Sequence, residues 1–313
     1  MSSSIGVQNG RATPLILLTG RNGQVGHELM RSLQGLGRVV APERVGLDLS
    51  DPDSIVQVMR DLRPQLVINA AAYTAVERAE TERELAYRIN AEAPHVMALE
   101  AKRAGAVLIH YSTDYVFDGT KTAPYVETDT ARPLSVYGFS KLAGERAIAN
   151  VGCRHLILRT SWVYGMRGKN FLRTMLRLAQ ERDTFDVVAD QFGAPTWSAT
   201  IAAQTAHIVA QSLAADDRGA WWDARSGLYH LTASGCASWH DFASTIAAIA
   251  GSTADVRPID SGAWPTAAQR PANSALDCSK LWRTFGLRAP EWDAALRCCL
   301  DGVALPETLA AAT

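Results

Sequence analysis

The stretch that most limits what this chain can fold into is Pro14-Leu15-Ile16-Leu17-Leu18-Thr19, followed at once by Gly20-Arg21-Asn22-Gly23-Gln24-Val25-Gly26. A short unbroken apolar run marks a strand buried on both faces, the habit of parallel sheets. After the glycines, Val25, Leu29 and Leu33 recur at helical spacing. A strand, a glycine turn and a helix start in this order set backbone N–H groups against a pyrophosphate. The spacing is Gly-x-x-Gly-x-x-Gly rather than Gly-x-Gly-x-x-Gly. Without a ligand, the same residues are simply a glycine-rich helix start.

Arg38 to Pro42 reads as a second strand, Gln65 to Ala72 as another and Ala106 to Tyr111 as a further central one, with helical stretches between them. That alternation predicts an α/β fold with a doubly wound parallel sheet, whose ligands bind outside the carboxyl ends of the strands. Near the second strand end, Glu43 would take a ribose 2'-hydroxyl, whereas Arg44, with Arg21, would accept a 2'-phosphate. Asp48 is either an adenine partner or a turn residue, and Asp51 or Ser50 caps the next helix. Ala70-Ala71-Ala72 ends its strand in side chains small enough for close approach by a cofactor. Ser112 and Thr113 arrive at the same edge.

Tyr137-Gly138-Phe139-Ser140-Lys141 places a tyrosine and a lysine on one helical face. An ammonium beside a phenol favours the phenolate and lowers its pKa toward neutrality. Such a tyrosine can exchange a proton with a substrate oxygen. The glycine loop, the hydroxyl-rich run Tyr111 to Tyr115 and this helix, in this order, form the constellation of a nicotinamide-dependent short-chain reductase.

Beyond Gly165 the alternation loosens, and Gly227 to Leu231 is expected to return to the sheet as one more strand. The expected division is therefore a disordered extension at 1–13, a sheet domain of 14–165 plus 196–232, and a smaller α/β lobe of 166–195 plus 233–313. Trp162, after the strand His155 to Arg159, is either a core plug or a ring facing a sugar or base. A net charge of -1 leaves no basic footprint for nucleic acid or an anionic membrane surface. No apolar run reaches the length of a membrane span. Five cysteines, with no paired spacing except the adjacent Cys298-Cys299, which rarely bridge each other, fit a reducing cytoplasm. No histidine, cysteine and carboxylate cluster has metal spacing. There is no Gly-x-Ser-x-Gly elbow for a serine hydrolase.

With these residues in view, the chain resembles the dTDP-4-dehydrorhamnose reductases, a branch of the extended short-chain dehydrogenase/reductases. The likeness runs from Leu15 to about Leu300. It is carried by Gly20 to Gly26, Asn69 to Val76, Tyr111 to Gly119, Val136 to Glu145, Arg159 to Tyr164, Asp190 to Thr196 and Arg270 to Ser274. The resemblance implies a Rossmann-type sheet with a nucleotide-sugar-binding lobe, and Thr113, Tyr137 and Lys141 as the catalytic trio. It implies that Gly20, Gly23, Gln24, Val25, Gly26, Glu43, Asp48, Leu49, Ala72 and Thr74 line the cofactor, NADPH or NADH, together with Tyr137 and Lys141. Asp114 and Trp162 would join Thr113 at the sugar, with Arg270 and Asn273 at the nucleotide-sugar end. The implied reaction reduces the C4 keto group of dTDP-4-dehydro-L-rhamnose to dTDP-L-rhamnose for surface polysaccharide, in the cytoplasm. A homodimer is allowed. Some relatives hold magnesium through glutamates at a dimer contact; Ala199 stands at one such place, although Glu28 matches another, so no metal ligand is assigned. Two other readings share the glycine loop, a related nucleotide-sugar epimerase or dehydratase and a non-catalytic regulatory subunit. The intact trio favours the reductase over the subunit, and Tyr115 after Asp114 favours it over the dehydratase.

Overall fold

The computed structural model describes residues 13–301. All but the last residue of the expected extension, and the final positions 302–313 of the expected lobe, lie outside the described residues. In chain order the strands are β1 (Leu15–Thr19), β2 (Arg38–Val40), β3 (Leu66–Asn69), β4 (Val107–Thr113), β5 (Arg154–Thr160) and β6 (Val163–Tyr164). They continue with β7 (Thr184–Val188), β8 (Phe192–Gly193), β9 (Thr196–Trp197), β10 (Gly227–His230), β11 (Ala237–Ser238) and β12 (Asp255–Ile259). One six-stranded sheet has the order β10-β5-β4-β3-β1-β2, and all its pairings are parallel.

Because side chains alternate along a strand, each apolar run supplies two cores at once. Ile16, Leu18, Ile68, Ile109 and Leu158 face Leu29, Ile201 and Ile208 on one side. Leu17, Val67, Leu108 and Ile157 face Ile55, Met59, Met97 and Ile148 on the other. Burial on both faces is what makes these strands read as continuous apolar runs. β10 pairs with β5 in parallel register, with Leu228 opposite Ile157.

A third core forms away from the sheet. Leu172, Met175, Phe185, Phe242, Ile246 and Leu296 meet there, brought by the helices Phe171–Glu181, Trp239–Ile249 and Trp292–Leu300 and by β7. β12, not expected from the sequence, pairs in parallel with β7. Side-chain caps set two of these helix starts: Asn170 accepts from the Arg173 N–H, and Ser238 and Asp241 form a reciprocal capping box. Asp51, rather than Ser50, caps the helix Pro52–Leu62.

The long helix expected over Leu85 to Gly105 is interrupted. A π-turn at Arg88–Glu92 separates the helices Arg83–Tyr87 and Ala93–Ala104. Asn90 explains its use: within this turn its amide donates to the Tyr73 carbonyl and to Ser140 Oγ, and its Oδ1 accepts from the Tyr73 N–H. One side chain thereby ties the segment after β3 to the helix Val136–Val151. Among the described residues no helix is long and apolar enough to cross a membrane.

Candidate active site

In this sheet order the chain leaves β1 for β2 on one side and later returns to β3 on the other. The crevice outside the carboxyl ends of β1 and β3 is therefore the switch point at which α/β sheets bind ligands. Gly20 lies there at φ 74°, and a methyl group on it would sit 2.7 Å from the Ala70 backbone. Gly26 is closer still, since a Cβ would lie 2.0 Å from the Gly20 carbonyl oxygen. Gly23 is the N-cap of the helix Gln24–Ser32, which has no side-chain cap and no acidic residue in its first turn. Its free N–H groups and positive dipole end suit a phosphate.

Beside this turn opens a cleft of about 230 Å³ lined by Gly20, Gly23, Glu43, Asp48, Leu49 and Ala72, with Arg21 and Arg44 also on its wall. These residues fit a dinucleotide. Asp48 accepts from the Ser50 N–H and hydroxyl, at 2.8 and 2.7 Å, which hold its carboxyl below the usual range. Arg44 approaches it at 3.8 Å. Other expected cofactor residues are placed differently. The Gln24 side chain donates to the Val163 carbonyl and accepts from Asn170. Val25 packs against the sheet core, and Thr74 is exposed and outside the cleft lining. Ala71, from the run of small residues ending β3's segment, lines the cleft as well, and Thr19, Asn22, Pro42, Leu47 and Ile89 do so without having been singled out in the sequence. Only their adjacency to the glycine loop and strand ends could have flagged them.

The reductase trio lies along the same edge, outside that cleft lining. Thr113 ends β4 and donates to Asp114 Oδ1 at 3.0 Å. Ser135 accepts from the Gly138 N–H and so starts the helix Val136–Val151, which carries Tyr137 and Lys141. Gly138 permits that helix to sit against β4's end, since a Cβ there would lie 2.2 Å from the Tyr115 carbonyl oxygen. Burial pushes the Tyr137 phenol up to about 12; a hydrogen bond with Thr113 acts against this and the Asp114 charge adds to it. The expected lysine effect is not among these causes. Lys141 is itself buried, and its Nζ turns to the Tyr111 carbonyl at 2.7 Å and to His110 Nε2 at 3.1 Å. Burial lowers Lys141 to about 8, with Glu145 opposing. Asp114 is raised to about 7 by burial, against hydrogen bonds from Ser274 and Thr113.

Trp162 follows β5 and lies against Trp239 and Gly193. Its ring stacks on Trp239, with centroids 3.5 Å apart and planes 2° from parallel. A Cβ on Gly193 would lie 2.5 Å from it. Yet the residue is only half-buried and adopts φ 46°, a left-handed backbone that a bulky side chain occupies only where the surroundings impose it. Arg270 donates to Glu77 at 2.9 Å, and Asn273 Nδ2 donates to the Lys121 carbonyl at 2.6 Å. Both already have partners within the chain. Among the described residues no group of three histidines, cysteines or carboxylates could hold a metal ion.

The parallel sheet, the switch-point glycine turn and the threonine, tyrosine and lysine at its edge define a Rossmann-type, nicotinamide-dependent reductase. The RmlD substrate binding domain family matches residues 14–305. The chain is 48% identical over 293 residues to the dTDP-4-dehydrorhamnose reductase of Burkholderia thailandensis, covering 91% of this chain and 97% of the relative. The enzyme of the same name from Salmonella typhimurium is 45% identical over 289 residues, covering 89% and 94%. A dTDP-4-dehydrorhamnose reductase from Bacillus anthracis, solved in complex with NADP, superposes with a TM-score of 0.86 at 34% identity, covering 92% of this chain and 99% of that one. The chain belongs to the dTDP-4-dehydrorhamnose reductase family.

Proposed function

We propose that this enzyme reduces the C4 keto group of dTDP-4-dehydro-L-rhamnose with NADPH or NADH, giving dTDP-L-rhamnose, and that Thr113, Tyr137 and Lys141 carry the chemistry. The observation that supports this best is the close seating of the Tyr137 and Lys141 helix on the carboxyl end of β4, where a Cβ on Gly138 would lie 2.2 Å from the Tyr115 carbonyl oxygen and the Tyr137 ring meets Tyr115 edge-on, two residues past Thr113. The bound nicotinamide would supply the hydride. Tyr137 would protonate the sugar oxygen as negative charge develops on it. With Thr113 as a second donor, its hydroxyl proton turned from Asp114 to the sugar oxygen, this stabilises charge that exists only in the transition state. A neutral phenol held up at about 12 is a proton donor across the physiological range. Lys141, one helical turn on, would hold the nicotinamide ribose and favour the phenolate left behind.

The nucleotide end of the substrate is assigned to the lobe of residues 166–195 and 233–301, with Asp114 and Trp162 at the sugar and Arg270 and Asn273 at its border. Arg270 and Asn273 would each exchange a present partner, Glu77 and the Lys121 carbonyl, for the substrate. A cytoplasmic setting accords with the free thiols of Cys153, Cys236, Cys278, Cys298 and Cys299. A homodimer rests on the family likeness, and light scattering checks it.

Steady-state kinetics with the purified enzyme test the assignment. Tyr137→Phe should still bind NADPH yet lose roughly two to four powers of ten in kcat. Lys141→Met should also weaken cofactor binding. Thr113→Val should depress kcat more than it alters cofactor affinity. A Tyr137→Phe variant retaining more than about a tenth of wild-type kcat would remove the tyrosine from this role.

A further inference from the structure

A buried chain of polar side chains crosses the sheet beneath the site, from β1 through β3 and β4 to the helix of Lys141. The Thr19 hydroxyl donates to Asn69 Oδ1 at 2.6 Å. Asn69 Nδ2 faces His110 Nδ1 at 3.0 Å, and His110 Nε2 faces Lys141 Nζ at 3.1 Å. Thr19, Asn69, His110 and Lys141 are each no more than 3% exposed, so water does not substitute for a missing partner.

The protons along this chain can be counted. Asn69 Oδ1 accepts from the Thr19 hydroxyl and shares the Ala71 N–H, at 3.3 Å, with Thr19 Oγ1 at 3.2 Å. Turning the amide over would oppose its NH₂ to that N–H and leave the Thr19 proton without this acceptor. Asn69 therefore directs Nδ2 at the imidazole, and His110 Nδ1 accepts. A neutral imidazole carries one proton, which must then lie on Nε2. That proton points at Nζ, and an ammonium has no lone pair to receive it. Only one proton fits between the two nitrogens.

We propose that His110 is a positioning residue of the reductase centre: with its ring fixed by Asn69, it holds Lys141 and sets which of the two nitrogens carries the proton between them. The proposal rests on the assignment of Lys141 to the catalytic unit. In the arrangement this count gives, the imidazole N–H stabilises the neutral amine and opposes the ammonium. The Tyr111 carbonyl acts the other way, as does Glu145 from the same helix, itself bound to Arg159 of β5. Tyr137 lies one turn earlier, with Asp114 beyond it and the buried Tyr115 ring edge-on to Tyr137 at 5.9 Å, so these titratable groups also face this side of the site. The arrangement acts in the same direction as burial, which lowers the affinity of Lys141 for its proton. It also couples Asn69, at the strand end beside the dinucleotide cleft, to the lysine.

Two substitutions reverse the polarity of the contact. Asn69→Ala removes the donor that faces Nδ1, so the imidazole proton can move there and Nε2 can accept from Nζ. His110→Gln can turn a carbonyl oxygen toward Nζ. The measurement is the titration of the lysine ¹³Cε resonance of Lys141, assigned by its disappearance in Lys141→Met, in the folded enzyme without substrate. Asn69→Ala should move the midpoint to higher pH by about one unit; a midpoint that stays or falls overturns the proposal. If Asn69→Ala does not fold, His110→Gln should show the same upward shift, and its absence there overturns the proposal equally. The basic limb of kcat/KM should follow the midpoint, as a merely structural histidine would not require. A moved titration with an unmoved limb would instead overturn the catalytic role of Lys141 and leave the proton arrangement intact.

Discussion

Arg159 and Glu145 form an enclosed, two-pronged ion pair, with Nε to Oε1 at 2.8 Å and Nη2 to Oε2 at 2.6 Å. The pair joins β5 to the helix Val136–Val151, one turn after Lys141, and Arg159 also lies over the Phe117 ring at 5.0 Å. Both side chains are almost wholly buried, so removing one leaves the other charge without partner or water. Arg159→Met should therefore destabilise the enzyme by about 3–5 kcal/mol. Replacing both, as Arg159→Met with Glu145→Met, should recover much of that loss, because the stranded carboxylate is gone. Urea unfolding of the single and double variants checks this, and a single-variant loss below about 1 kcal/mol contradicts it.

Gly26 should tolerate no side chain. A methyl group would lie 2.0 Å from the Gly20 carbonyl oxygen, and backbone at that point cannot yield without opening the turn that presents the helix N-terminus. Gly26→Ala should cost about 1–3 kcal/mol and weaken NADPH binding well beyond the change in stability. Gly46→Ala is the control. Its Cβ would meet Pro42 at 3.5 Å, an ordinary contact, and its melting temperature should stay near that of the wild type. Melting curves with cofactor titrations compare the two.

The parts of the molecule that could be read from sequence are those where one physical demand dominates. β1, β3 and β4 had to be apolar on both faces, and Gly20, Gly23 and Gly26 had to lack side chains, so each left a local mark. Tyr137 and Lys141 are legible because helical spacing itself brings them together. Asn90 and His110 are not, since their meaning lies in partners 17 to 50 residues away, Tyr73, Ser140, Asn69 and Lys141. The π-turn at Arg88–Glu92 is equally silent: its residues suit an ordinary helix, and tertiary bonds to Asn90 decide otherwise. β12 escapes a sequence reading because its strand has no fully buried residue, carries a proline, Pro258, and is stabilised by pairing with β7.

Cofactor preference should hinge on Arg44 and Arg21 against Glu43, all on the cleft wall. An arginine gains from a 2'-phosphate through charge-assisted hydrogen bonds, while a carboxylate repels it. Arg21 donates to the Ala41 carbonyl at 3.4 Å and Arg44 reaches Asp48 only at 3.8 Å, so neither guanidinium is tightly held. The enzyme should use both cofactors with a mild preference for NADPH, and Arg44→Ala should shift the kcat/KM ratio toward NADH. If both Arg44→Ala and Arg21→Ala leave that ratio unchanged, the preference is set elsewhere.

Asp114 gives the enzyme a pH dependence of known sign. Burial raises its folded-state pKa to about 7, against hydrogen bonds from Ser274 and Thr113, while an unfolded aspartate titrates near about 3.9. Between these values the folded chain keeps a proton that the unfolded chain has released. The contribution of this group to stability is therefore fully present below about pH 4 and is lost as pH rises to about 7, at no more than about 1.4 kcal/mol per pH unit. Asp114→Asn keeps the shape and removes the titration. Unfolding free energies of the two proteins, measured across this window, should differ by an amount that changes steadily with pH in the variant's favour. Parallel curves would mean that Asp114 is ionised in the folded enzyme throughout. In that case Thr113, whose hydroxyl donates to it, would be oriented by a charged carboxylate at the point where the substrate oxygen is protonated.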